Sequence, residues 1–120
     1  MKTKKIEKEI TYKGYKGCII LTWYGEFLHW RSAYVFIPKN NKLHGKHYSE
    51  CDDLDVHGGV TFSEIGKIFK TKIEDDLELP DDVWVLGIDF NRVLGEMDIK
   101  DVEEELKHFI NVVIKAGGER

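Results

Sequence analysis

Apolar and polar positions fall in short, strand-length runs over the first ninety residues and change to a period near 3.6 at the end of the chain. Cys18 to Tyr24 carries Ile19, Ile20, Leu21, Thr22 and Trp23, β-branched and aromatic residues in a run too short for an independent helix, which predicts a strand. Phe27 to Ile37 alternates imperfectly and ends densely in Tyr34-Val35-Phe36-Ile37, before a Pro38 that cannot donate to a ladder. Gly25-Glu26 separate the two runs, which therefore read as a hairpin. Upstream, Lys2 to Lys16 is polar, with Gly14 and Gly17 bracketing Tyr15, and reads as a frayed start or as a first edge strand followed by a turn. Val83 to Phe90 is apolar enough for burial on both faces, the pattern of a central strand.

Between these runs the signals are mixed. Val60 to Phe62 reads as extended. Glu64 to Thr71 places Ile65, Ile68 and Phe69 at helical spacing but contains Gly66, so a single helical turn and a hairpin arm compete. Asp75 to Asp82 is an acidic loop in which Pro80 biases Leu79 away from helix. At the end of the chain Asp98 is a suitable N-cap. Val102, Leu106, Phe109, Ile110 and Val113 then keep the helical period, acidic residues occupy the first turn, and Gly117-Gly118 supply the stop. The expected fold is α+β, a mainly antiparallel sheet with one long C-terminal helix packed on a face.

Composition limits what such a fold does. A chain of 120 residues with 42% hydrophobic and 12% aromatic residues suits one domain over residues 1–120 with a true core. A net charge of −4 argues against general binding to nucleic-acid backbone, although Lys2, Lys4, Lys5, Lys8, Lys13 and Lys16 make the start locally basic. Six acids between Glu74 and Asp82 form the opposite patch. Cys18 and Cys51 lie far apart with no Cys-x-x-Cys spacing, implying neither a disulfide framework nor a thiolate zinc site. With no apolar run long enough for a membrane span and no secretory signal pattern, the expectation is a cytoplasmic protein that does not engage membranes.

The candidate chemistry concentrates in Glu50 to Ser63. Asp53, Asp55 and His57 alternate, so an extended backbone would put all three on one face. Together with Asp89, the one charge on the Val83 to Phe90 run, they form a donor set suited to a divalent metal or to acid/base work. Gly58 and Gly59 lack a Cβ and so can take positive φ or admit a close neighbour. The loop His44-Gly45-Lys46-His47-Tyr48 offers cationic and hydrogen-bonding groups for an anion, and Arg92 offers a planar guanidinium for a phosphate or carboxylate. Trp30 and Tyr34 are the aromatics best suited to stack on a ligand. No Ser/His/Asp or Cys/His nucleophile arrangement and no glycine-rich phosphate loop before a helix is present.

In their order, Tyr34-Val35-Phe36-Ile37-Pro38, Leu43-His44-Gly45-Lys46-His47-Tyr48, Asp55-Val56-His57-Gly58-Gly59-Val60-Thr61-Phe62-Ser63 and Trp84-Val85-Leu86-Gly87-Ile88-Asp89-Phe90 resemble a group of small uncharacterised proteins encoded by bacteriophages and prophages. The likeness spans Cys18 to Asp98. That group carries a histidine three residues after the strand aspartate and another before the Gly-Lys loop, where this chain has Arg92 and Asn41. Without those histidines a polar binding pocket is better supported than a metal-dependent enzyme. The resemblance implies the setting in which phage proteins of this size blunt host defence.

The leading expectation is therefore a non-enzymatic, phage-type binding protein for a small anionic, nucleotide-like ligand, using no cofactor. The ligand would be held by His57, Gly58, Gly59, Asp89, Arg92, His44, Lys46, Trp30 and Tyr34. A first alternative is a metal-dependent phosphoester hydrolase working through Asp53, Asp55, His57 and Asp89. A second is an acidic interaction protein that inhibits a host nucleic-acid-binding defence effector through the Glu74 to Asp82 run. A homo-oligomer is compatible with each.

Overall fold

The computed structural model describes residues 2–25, 28–73, 76–90 and 98–118. Arg92 and the acidic residues Glu74 and Asp75 lie outside them. Among the described residues no helix is long and apolar enough to cross a membrane.

The polar start is an edge strand, β1 (Lys2–Tyr12), and a tight turn follows it into β2 (Tyr15–Tyr24). Both central residues of that turn, Lys13 (φ 54) and Gly14 (φ 82), are left-handed, the geometry whose twist matches a two-residue hairpin. A register shift between Ile6 and Lys8 bulges β1, and Glu7 reaches over to accept two bonds from the Arg31 guanidinium at 2.7 and 2.9 Å. β2 continues into β3 (Leu28–Ile37), paired antiparallel out to Tyr24 and Leu28, so the expected hairpin is present. β4 (Phe62–Ile65) leads directly into a short helix, α1 (Gly66–Thr71), which resolves the ambiguous 64–71 segment as strand and then helix. β5 (Trp84–Asp89) lies between β3 and β4, and the sheet runs β1-β2-β3-β5-β4, antiparallel throughout.

The long helix α2 (Ile99–Gly117) starts as its sequence requires, with the Asp98 carboxylate accepting from the Asp101 amide at 3.0 Å. Its stripe of Val102, Leu106, Phe109, Ile110 and Val113 packs on Ile19, Ala33, Val35, Ile37, Leu86 and Ile88 from one face of the sheet. The alternate residues of the same strands, Cys18, Ile20, Tyr34, Phe36 and Val85, face the other way and meet Phe69 of α1 with Ile73 and Leu79. Both faces of the middle of the sheet are therefore covered, and β5 is buried from Val85 to Ile88, as its uniform hydrophobicity requires. The α+β architecture is an antiparallel sheet with one long C-terminal helix against it, plus a smaller second core on the opposite face.

The loop after β3 is fastened by a buried asparagine. Asn41 is 2% exposed, and its Nδ2 donates to the Tyr15 hydroxyl at 2.9 Å and to the Val113 carbonyl at 3.3 Å. Its Oδ1 accepts from the Leu43 amide at 2.8 Å, while the Lys42 amide donates to the Gly117 carbonyl at 2.7 Å. Asn41 is therefore a bracket between loop, β2 and helix end.

Candidate functional site

Residues opposite one another in an antiparallel ladder share a face, so the register shows which polar groups meet. Lys4 pairs with Thr22 and Thr22 with Trp30, making one row across β1, β2 and β3. In the next row Ser32 of β3 pairs with Asp89 of β5, and in the third Tyr34 pairs with Gly87, which pairs with Phe62 of β4. These rows lie on the α1 face of the sheet. Trp30, Ser32, Tyr34, Thr61, Phe62 and Asp89, with Lys4, line a half-open depression of about 190 Å³ there.

The depression is polar and under-satisfied. Tyr34 is 6% exposed, and burial pushes its phenol up to about 12; a hydrogen bond from Ser32 opposes the rise, and the Asp89 charge adds to it. The Phe62 ring meets the Tyr34 ring edge-on at 5.4 Å. Among the described residues, the Asp89 carboxylate and the Trp30 indole N–H have no hydrogen-bond partner, and Asp89 has no ion pair. Thr22, between Lys4 and Trp30 in its row, is 1% exposed, and its Oγ1 has no partner among the described residues. An orphan buried hydroxyl costs about 1–3 kcal/mol, so an acceptor, a donor and a hydroxyl left open in one region are features that a bound polar molecule would relieve.

Of the residues singled out from sequence, Trp30, Tyr34 and Asp89 come together here. The other described ones do not join them. The stretch from Cys51 to Gly59 is folded into turns rather than extended, with the Leu54, Val56 and Gly59 amides donating to the Cys51, Leu54 and Val56 carbonyls. Alternation therefore does not put Asp53, Asp55 and His57 on one face. Asp53 and Asp55 border a groove of about 510 Å³ along α2, where the His108 Nε2 donates to the Asp55 carbonyl at 2.8 Å. The His57 ring leans on Phe90 at 5.2 Å, and Phe90 belongs to the α2-side core, away from Asp89. Among the described residues no three His, Cys, Asp or Glu side chains stand close enough to hold a metal ion. The groove along α2 is the larger concavity, but its wall is more apolar and its histidine is engaged with backbone, so the convergent open polar groups favour the smaller depression.

Gly58 (φ 71) and Gly59 (φ 80) do use positive φ, but a Cβ on either would meet nothing within 4 Å, so no neighbour presses against them. The His44 Nε2 donates to the Asp82 carbonyl at 2.7 Å, and the Lys46 carbonyl accepts from the Trp84 indole at 2.8 Å. Both bonds hold the 38–48 loop to the start of β5, five residues from Asp89, or roughly 17 Å along a strand. His47 caps the 3-10 turn Tyr48–Cys51, accepting from the Ser49 amide at 3.2 Å while Glu50 accepts from the His47 amide at 3.0 Å. Arg92 lies outside the described residues. In the acidic run, Asp81 pairs with Lys70 at 2.7 Å, which holds its carboxyl below the usual range, and Asp82 pairs with Lys39 at 3.3 Å, so part of that charge is answered within the chain.

Sequence reasoning did not single out Ser32, Thr61, Phe62 or Lys4. Ser32 was within reach, since Trp30, Ser32 and Tyr34 alternate and must share a face. Lys4 and Thr61 become neighbours only through the β1–β2 and β4–β5 registers.

Compared with family models, curated proteins and solved structures, the chain matches none of them.

Proposed function

We propose that this chain is a small non-catalytic binding protein that takes a nucleotide-like anion into the depression bounded by Trp30, Tyr34 and Asp89. The observation that carries this reading is the coincidence, in one concavity, of a half-buried indole with two polar groups left open among the described residues, the Asp89 carboxylate and the Trp30 N–H, and with the cationic Lys4 on its wall. An aromatic face holds a planar base with little regard to its identity, and a cation beside it answers a phosphate. The volume of about 190 Å³ is below the roughly 300 Å³ at which drug-sized sites begin, so the depression takes the base while sugar and phosphate extend along the sheet toward Lys4.

The Cys18 and Cys51 thiols are buried and pushed up from the ordinary value, burial being the main cause for both, which suppresses the reactive thiolate. The resemblance to phage and prophage proteins gives such binding a role: sequestering a nucleotide signal by which a host cell answers infection. Isothermal titration calorimetry with a panel of linear and cyclic mononucleotides tests the reading. Saturable heat with at least one, weakened in Trp30→Ala, is expected; no heat from any of them at millimolar concentration overturns it.

A further inference from the structure

We infer that the groove along α2 is a second binding site, one that takes an extended peptide segment of a partner protein with a basic, an apolar and an acidic residue at alternate positions. It lies against the helix, on the side of the sheet away from the depression, and is independent of the nucleotide reading.

One wall is a helical stripe. His108, Asn111, Val112, Lys115 and Ala116 stand at spacings of three and four, so they follow one another along a single face of α2. The other wall is the turn Asp53-Leu54-Asp55, which the His108 bond to the Asp55 carbonyl holds level with the start of that stripe. Leu54, Val112 and Ala116 supply the apolar lining. The volume of about 510 Å³ falls within the roughly 300–1,000 Å³ of ordinary ligand clefts.

Charge is divided along the groove. Asp55 stands at the His108 end with Asp53 on the same wall, and Lys115 comes two turns further along the helix, roughly 10 Å at 1.5 Å per residue. Among the described residues none of these three side chains, nor the half-buried Asn111 amide, has a hydrogen bond or ion pair. A phosphate would suit Lys115 but be repelled by the two carboxylates, and a simple cation the reverse. An extended peptide answers every group: its alternate side chains share a face, and residues four apart stand roughly 13 Å apart. A basic residue then reaches Asp53 and Asp55, an acidic one reaches Lys115, and the apolar residue midway meets Leu54, Val112 and Ala116. The Asn111 carboxamide, with donors and an acceptor together, matches the N–H and C=O of the peptide backbone. Ion pairs on so open a surface set selectivity, while the apolar anchor sets most of the affinity.

The test is amide chemical-shift titration of the full chain with four end-blocked pentapeptides: Lys-Ser-Leu-Ser-Glu, Lys-Ser-Ala-Ser-Glu, Lys-Ser-Leu-Ser-Lys and Glu-Ser-Leu-Ser-Glu. The first is expected to give saturating shifts at Asp53, Leu54, Asp55, Asn111, Val112 and Ala116, and its alanine counterpart to bind at least about fivefold more weakly. The two peptides with like charges at both ends should bind about two- to fivefold more weakly than the first. Lys115→Glu, a change at an exposed position, should invert that preference and take Lys-Ser-Leu-Ser-Lys about two- to fivefold better than Lys-Ser-Leu-Ser-Glu. Absence of saturating shifts in the groove with all four peptides at millimolar concentration overturns the site. Equal affinity for all four, or a ranking that Lys115→Glu leaves unchanged, overturns the peptide assignment. The amide spectrum of Lys115→Glu checks its fold, and should that variant not fold, the wild-type peptide ranking decides alone. Neither negative result bears on nucleotide binding beside Trp30, on the other side of the sheet.

Discussion

The Tyr34 ring lies flat across Gly87, its cross-strand partner, so closely that a Cβ built on the glycine would stand 2.5 Å from Cδ1 and 2.6 Å from Cε1 of the ring. Phe62 closes the same row from the far side. A strand glycine ordinarily weakens a sheet, but here its missing side chain lets an aromatic lie down and form one wall of the depression.

Gly87→Ala should accordingly be costly out of proportion to one methyl group. The ring cannot yield as the end of a flexible side chain would, since it also contacts Phe69 at 5.0 Å. The expected loss is about 1–3 kcal/mol of unfolding free energy, the usual range for overpacking, together with weaker ligand binding as Tyr34 is pushed into the depression. Chemical denaturation and calorimetry on the one variant measure both.

The Tyr34 phenol makes the fold sensitive to alkali. Its ordinary value is 10.0 and the folded protein raises it to about 12, so the phenol's contribution is present in full below pH 10 and is lost as pH rises through about 12. That shift corresponds to roughly 3 kcal/mol at its largest. Denaturant midpoints at pH 8 and pH 11 should show wild type losing more stability over the interval than Tyr34→Phe, which has no phenol to ionise. The Cys18 thiol, also raised by burial, contributes in the same direction and leaves a residual loss in the variant.

How much of this was legible beforehand differs by element. The uniform apolar run of β5 and the 3.6 period of α2 announce themselves, because burial on two faces and on one stripe leave different signatures. Glu64 to Thr71 does not, because its helix starts where Gly66 fits against the Pro80 carbonyl and Val83, a contact made by residues far along the chain. The site divides in the same way. Trp30 and Tyr34 were found from residue type and share a face by simple alternation. The alternation of Asp53, Asp55 and His57 predicts one shared face only for an extended backbone, and turns between Cys51 and Gly59 send them elsewhere. Alternation alone sends Asp89 and Phe90, adjacent in sequence, to opposite faces, but no local pattern could show the partners they meet there, Tyr34 on one and His57 on the other.

Asn41 carries a prediction about the loop. Asn41→Ala removes two donated bonds and one accepted bond, leaving the Leu43 amide and the Val113 carbonyl without their partner. A loss of about 1–3 kcal/mol is expected. Amide exchange at Lys42 and Leu43 should rise markedly, while ligand affinity, set at the other end of β5, stays within about twofold, well under the tenfold step of 1.4 kcal/mol.

His57 and Lys46 supply a contrast. His57→Ala and Lys46→Ala should leave nucleotide affinity nearly unchanged, since the His57 ring packs on Phe90 and the Lys46 carbonyl, not its side chain, holds Trp84. Trp30→Ala should weaken binding by about 1–3 kcal/mol, the value of one stacked base. Dissociation constants from a single calorimetric series decide between the two outcomes.

The central claim, that the ligand sits on the α1 face beside Trp30 and Asp89, is tested most directly by amide chemical-shift mapping as the tightest-binding mononucleotide of the calorimetric panel is titrated into the labelled protein. The account predicts shifts that saturate and cluster at Trp30, Ser32, Tyr34, Thr61, Phe62 and Asp89. Saturating shifts confined to His44–Lys46 or His57–Gly59, with those six amides unmoved, would contradict it.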